Sequence, residues 1–122
     1  MPAPYQRLVQ DLRQAFPQPV SDRVHDAYFA AGVDCVETNT FGANYANLGE
    51  YEITDRIYEL AQAGAAVARE VADGYATPDR PRWVLGSVGP GTKLPSLGHA
   101  PYSLLRDAYQ QQVAGLVDGV TK

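Results

Sequence analysis

The stretch Val33-Asp34-Cys35-Val36-Glu37-Thr38-Asn39-Thr40-Phe41-Gly42-Ala43-Asn44 decides the fold of this chain. It opens as a buried strand, with Val33, Cys35 and Val36 supplying apolar, β-compatible side chains. It closes as a polar cluster of Glu37, Thr38, Asn39 and Thr40 before Gly42 releases the chain into a loop. α/β folds place ligand chemistry where a strand's carboxyl end turns polar ahead of a glycine. A second run, Trp83-Val84-Leu85-Gly86-Ser87-Val88-Gly89-Pro90-Gly91, repeats the plan. A long helical pattern separates the two, so the sequence predicts parallel strands joined by a right-handed crossover.

Working outward from these strands, Ser21 and Asp22 start a short amphipathic helix. Val24, Ala27, Tyr28 and Ala31 recur on its expected inner face, and Gly32 stops it. Residues 42–49, rich in Asn and Gly, read as a loop. From about Glu50 to Tyr75 a helical stripe carries Ile53, Ile57, Leu60, Gly64, Val67, Ala68 and Val71. Its small residues Ala61, Gly64, Ala65 and Ala68 allow a close approach to a sheet. After a patternless loop from Gly89 to Pro101, Ser103 can cap a last helix with Leu105, Ala108, Tyr109, Val113 and Leu116 inward, decaying at Gly119. Residues 1–20 read as a separate arm, with Leu8, Leu12 and Phe16 on a short helix that Pro17 and Pro19 stop. Two parallel strands cannot cover so many apolar helix faces, because parallel sheets are buried on both sides. The chain reads as a slice of a larger barrel or sheet, with strand edges open to self-association.

Bulk properties narrow the partners. The chain has 122 residues, 45% hydrophobic and 20% charged, which suits one globular domain. A net charge of −4 argues against nucleic acid, whose phosphates call for clustered Lys and Arg. No apolar run approaches the ~20 residues of a membrane span, and no secretory signal is visible. A single cysteine rules out an internal disulfide and fits the cytoplasm.

Several residues bear chemistry. In a strand, Glu37 and Asn39 share one face while Thr38 and Thr40 share the other. The first pair can grip a polar ligand such as an amino-acid head group. Equally, Glu37 can neutralise a neighbouring cation while Asn39 and the threonines fix a turn, and the residues alone leave both open. The glycines of Gly86-Ser87-Val88-Gly89-Pro90-Gly91 let backbone amides approach an anion. That run lacks a P-loop lysine and the G-x-G-x-x-G spacing, so a tight strand-to-loop turn is the preferred reading. Cys35, among valines, reads as a small buried hydrophobe. His25 reads as solvent-facing and His99 as a surface-loop histidine. One Cys and two His do not make a zinc site. The aromatics Tyr28, Phe29, Tyr75, Trp83 and Tyr109 read as core or helix–sheet packing.

With those motifs in view, residues 30–43, containing the E-T-N-T-F-G run, resemble the second strand of the homocysteine S-methyltransferase family. Leu85-Gly86-Ser87-Val88-Gly89-Pro90-Gly91-Thr92 resembles its third. The likeness runs over roughly residues 22–118 and is nearest to the homocysteine-binding module of the family's cobalamin-dependent members. It implies an α/β fold, a partial (β/α)8 TIM barrel of about two parallel strands with flanking helices over 21–122. Residues 1–20 are then a divergent arm. In the family a zinc held by three cysteines from late strands makes homocysteine a nucleophilic thiolate, which takes a methyl group to give methionine. Glu37, Thr38, Asn39, Ser87 and Gly89 are implied at the pocket for the homocysteine head group. Zinc and cobalamin, with methyltetrahydrofolate, are implied for the complete family protein. The D-G-A-M-G-T-like first strand has no counterpart before Ser21, and Cys35 matches none of the zinc cysteines. By itself the chain is therefore expected neither to bind zinc nor to transfer methyl groups. The alternatives are a non-catalytic amino-acid or anion-binding module and a non-functional fragment.

Overall fold

The computed structural model describes residues 20–121, with side chains from 22. The helical pattern around Leu8, Leu12 and Phe16 lies outside them. The elements run α1 (Val20–Ala30), β1 (Cys35–Glu37), α2 (Tyr45–Gly49), a 3-10 turn (Thr54–Arg56), α3 (Ile57–Tyr75), β2 (Trp83–Leu85), a second 3-10 turn (Pro95–Leu97) and α4 (Tyr102–Thr121). β1 and β2 pair in parallel, with Cys35 opposite Trp83, Val36 opposite Val84 and Glu37 opposite Leu85. The described residues thus form a helix-rich α/β unit with a two-stranded parallel sheet. No described helix is long and apolar enough to cross a membrane.

Helices cover one face of the sheet. Phe29 of α1, Val36 of β1, and Ala68 and Ala72 of α3 form its core, with Val84 and Tyr75 against them. Tyr75 stacks on Phe29 at 5.6 Å and donates its hydroxyl hydrogen to the Asp26 carboxylate at 2.8 Å, tying α3 to α1. The Arg82 guanidinium lies 5.8 Å from the Phe29 ring, within cation–π range. Behind α3 runs α4, and here the glycines act. A Cβ on Gly119 would stand 2.5 Å from the Gln62 carbonyl and 2.6 Å from Ala65 Cβ. Gly115 is as tightly placed against the Tyr58 carbonyl. The small stripe of α3 therefore serves two neighbours. Gly64 and Ala68 meet the sheet, with a Gly64 Cβ falling 2.6 Å from Thr40 Cγ2, while Ala61 and Ala65 meet α4 with Leu116.

The opposite face of the sheet is open. Cys35, Glu37, Trp83 and Leu85 are exposed, at 60% for Trp83 and 51% for Leu85. Cys35 is thus not the core residue its sequence context predicts. The side chains of β1 do alternate between the two faces, but a parallel strand is buried on both faces only when both are covered. The same cause corrects α1. Val24 and Tyr28 are exposed, as are Ala27 and Ala31, while His25 and Phe29 are buried. The helix turns its bulky Phe29 to the sheet and leaves the other stripe beside the uncovered strand edge.

Local chemistry explains the remaining differences. The expected loop at 42–49 contains α2, because the Asn44 side chain accepts the Asn47 amide hydrogen at 3.0 Å and caps it. The long helix begins at Ile57 and not near Glu50, since Glu52 takes a left-handed backbone (φ 56°) that no helix continues through. On α4, Ser103 lies inside the helix and Val113 points outward, while Gln112 is fully buried in the inner stripe. The helix also runs past Gly119 to Thr121, because Gly119 is a contact point with α3 and not a stop.

Candidate functional site

The two ends of the sheet are built differently. At the amino ends, arginines hold the strands. Arg80 spans the Asp34 carboxylate at 3.0 Å and the Gly32 carbonyl at 2.6 Å, and Arg82 donates to the Val33 carbonyl. This end is a charged clasp, and its ion pair is exposed, so it contributes little by itself.

At the carboxyl ends the ladder continues through side chains. The Thr38 amide donates to the Leu85 carbonyl at 2.9 Å. Beyond it, the Ser87 amide donates to Thr38 Oγ1 at 2.9 Å, and Thr40 Oγ1 donates to the Ser87 carbonyl at 2.7 Å. The two threonine hydroxyls are 2.7 Å apart. Each hydroxyl has one proton, and that of Thr40 is spent on Ser87, so Thr38 donates to Thr40. The result is a closed ring from the Ser87 amide through both hydroxyls to the Ser87 carbonyl. Both threonines are buried, so the ring fixes Ser87 without using the open face.

On that open face, Glu37 and Ser87 come together, with Ser87 Oγ 3.4 Å from Glu37 Oε2, a long and weak hydrogen bond. Asn39 is exposed beyond Glu37 on the same side. An open groove of about 520 Å³ flanks this edge of β1, lined by Val24, Tyr28, Cys35, Glu37, Thr38 and Asn39 among others. Gly89 is buried against the first loop, where a Cβ would lie 2.5 Å from the Phe41 carbonyl, so only glycine lets the two loops approach this closely. The five residues singled out in the sequence thus converge on one end of the sheet. Glu37 and Asn39 face outward, the Thr38 side chain faces inward, and Ser87 and Gly89 hold the neighbouring loop.

His25 also borders the groove but is buried, not solvent-facing. Its pKa lies below the ordinary 6.5 because burial penalises the charged ring, partly countered by Asp22. His99 lies exposed, its Nδ1 accepting the Leu94 amide hydrogen at 3.2 Å. Among the described residues no three Cys, His, Asp or Glu side chains gather where they could hold a metal ion. Exposed Cys35 has no partner thiol in the whole sequence. A thiolate-bound zinc therefore does not fit this donor set. Tyr109 reads from the sequence as packing, and Gln112 is not singled out by it. The available signal for Gln112 was a polar residue in the 105, 108, 109, 112, 116 stripe of an otherwise apolar helix face.

A parallel strand pair joined by a long helix, with both polar ends meeting over a glycine-bearing loop, defines an α/β fold with its candidate site at the carboxyl edge. Residues 8–121 match the model for "Homocysteine S-methyltransferase". The chain is 58% identical over 100 residues to a methionine synthase of Mycobacterium tuberculosis, and 56% identical over 100 residues to that of Mycobacterium leprae. Each alignment takes in 82% of this chain and 8% of the relative. The chain belongs to the homocysteine S-methyltransferase family. It spans about one-twelfth of the length of the curated relatives it matches.

Proposed function

We propose that residues 21–122 are part of a (β/α)8 barrel that binds homocysteine, and that the protein they serve transfers a methyl group to the homocysteine thiol to give methionine. The single observation that carries this reading is the meeting of Glu37 and Ser87 at the shared carboxyl end of two parallel strands. Glu37 presents a carboxylate to the substrate's ammonium group, with Asn39 beside it. Backbone amides that follow Ser87 toward Gly89 suit the substrate carboxylate, and Thr38 acts by accepting the Ser87 amide hydrogen and holding Ser87 in place. The uncovered apolar face of Cys35, Trp83 and Leu85 supports the barrel, because such a face calls for further strands to cover it. Zinc, cobalamin and methyltetrahydrofolate belong in this reading to the complete protein, and no described residue is assigned to them. Zinc supplies thiol activation there, and the residues here orient the other end of the substrate.

Calorimetric titration of the 122-residue chain with homocysteine tests the reading. Saturable heat is expected, weakened about tenfold in Glu37→Gln, which removes the charge from an exposed side chain. No heat at millimolar homocysteine overturns it.

A further inference from the structure

α4 reaches both strand ends from behind the sheet. Gln112, fully buried, donates through Nε2 to the Thr40 carbonyl at 2.9 Å. One turn earlier, the Tyr109 hydroxyl donates to the Gly89 carbonyl at 2.8 Å. These two residues, at i and i+3 of one helix, therefore grip the two loops that carry the candidate site. Packing alone does not explain Gln112. Its Oε1 has no partner among the described residues, and a half-satisfied buried amide is worse than an apolar side chain of the same shape. Helix α4 is itself locked to α3 through Gly115, Gly119 and Leu116, so it is a rigid beam for both contacts.

We infer that Gln112 and Tyr109 are positioning residues: they set the relative height of the β1 and β2 ends, and through it the affinity of the site for an amino-acid head group. The inference rests on the binding proposed above. Neither side chain is assigned a contact with substrate. Gln112 acts through Thr40, whose hydroxyl holds Ser87, and Tyr109 acts through Gly89, which is pressed against Phe41. A shift of either carbonyl moves a loop that the threonine ring and the Gly89 contact otherwise hold in register.

The test combines hydrogen exchange with homocysteine titration on the 122-residue chain and on Gln112→Met, Tyr109→Phe and Leu116→Ala. Gln112→Met and Tyr109→Phe are expected to speed amide exchange in residues 38–42 and 87–91 while sparing α1. Each is expected to weaken homocysteine binding about tenfold. Leu116→Ala loosens the α3–α4 seam and its packing on Gly86 while keeping both carbonyl grips, and is expected to speed exchange along α3 and α4 as well, without the loop-selective pattern. Gln112→Glu supplies a rescue: a buried carboxyl is neutral at low pH and can donate to Thr40, so its affinity relative to the unmodified chain at the same pH recovers as pH falls, against a flat ratio for Gln112→Met, in which Glu37 and the ligand titrate alike. Native-like exchange in both loops of the Gln112→Met and Tyr109→Phe chains overturns the positioning role. An unmodified chain that binds homocysteine while these two variants bind equally well overturns this inference alone. An unmodified chain that takes up no homocysteine overturns the proposed function, and the affinity half of this inference with it.

Discussion

The two faces of the β1–β2 sheet carry similar apolar side chains and have opposite fates. On one, Val36 and Val84 meet Phe29, Ala68 and Ala72, and an aromatic stack and a cation–π contact close the layer. On the other, Cys35, Trp83 and Leu85 are exposed. The difference teaches that side-chain type does not assign burial in this chain. What decides it is whether a helix lies across the strand, and α1 and α3 both lie on the same side.

Substitutions on the covered face should therefore be costly, and on the open face nearly silent. Phe29→Ala has the largest expected effect, about 3–5 kcal/mol of lost stability in chemical denaturation, because it removes the ring on which Tyr75 stacks and Arg82 rests. Gly119→Ala comes next, at about 1–3 kcal/mol, since the new methyl meets a backbone carbonyl that has little room to move. His25 gives a smaller and pH-dependent effect. Its folded-state pKa is lowered by burial, so the unfolded chain binds the proton more readily. Stability contributed by the neutral ring is present above the unfolded pKa of 6.5 and is lost as pH falls through the lower folded value. Denaturation midpoints should drop as pH falls below the unfolded value of 6.5, and more steeply in the native chain than in His25→Leu. Leu85→Ser, on the open face, should change stability by no more than about 0.5 kcal/mol. Its measurable consequence is a smaller apparent size in sedimentation, because an exposed apolar patch favours association. If Leu85→Ser proved as costly as Phe29→Ala, the contrast between the faces would collapse.

A second contrast lies along the strands. The arginine clasp at one end is charged, with Arg82 buried and the Arg80–Asp34 pair exposed, whereas the threonine ring at the other is neutral and buried. The arginines engage Asp34 and the Gly32 and Val33 carbonyls at the amino ends, which leaves the Glu37 carboxylate available to a ligand's ammonium group, the chemistry the proposed site requires.

Much of this architecture was legible in the residues. The alternation of Glu37 and Asn39 against Thr38 and Thr40 follows from the two-residue period of a strand, and it holds in three dimensions. The polar strand ends and the long helix between them were equally readable, because propensity and periodicity are local properties. Family membership followed from the same two runs. Long-range partners were not legible. Nothing local in Gln112 points to the Thr40 carbonyl 72 residues away, and nothing in His25 or Cys35 tells which is covered. Sequence by itself determined which side chains share a face and where the chain turns polar. Only the tertiary structure decided which face is buried and which helix grips the strand ends, because burial and hydrogen-bond partnership depend on what another segment brings alongside, and no periodicity encodes that.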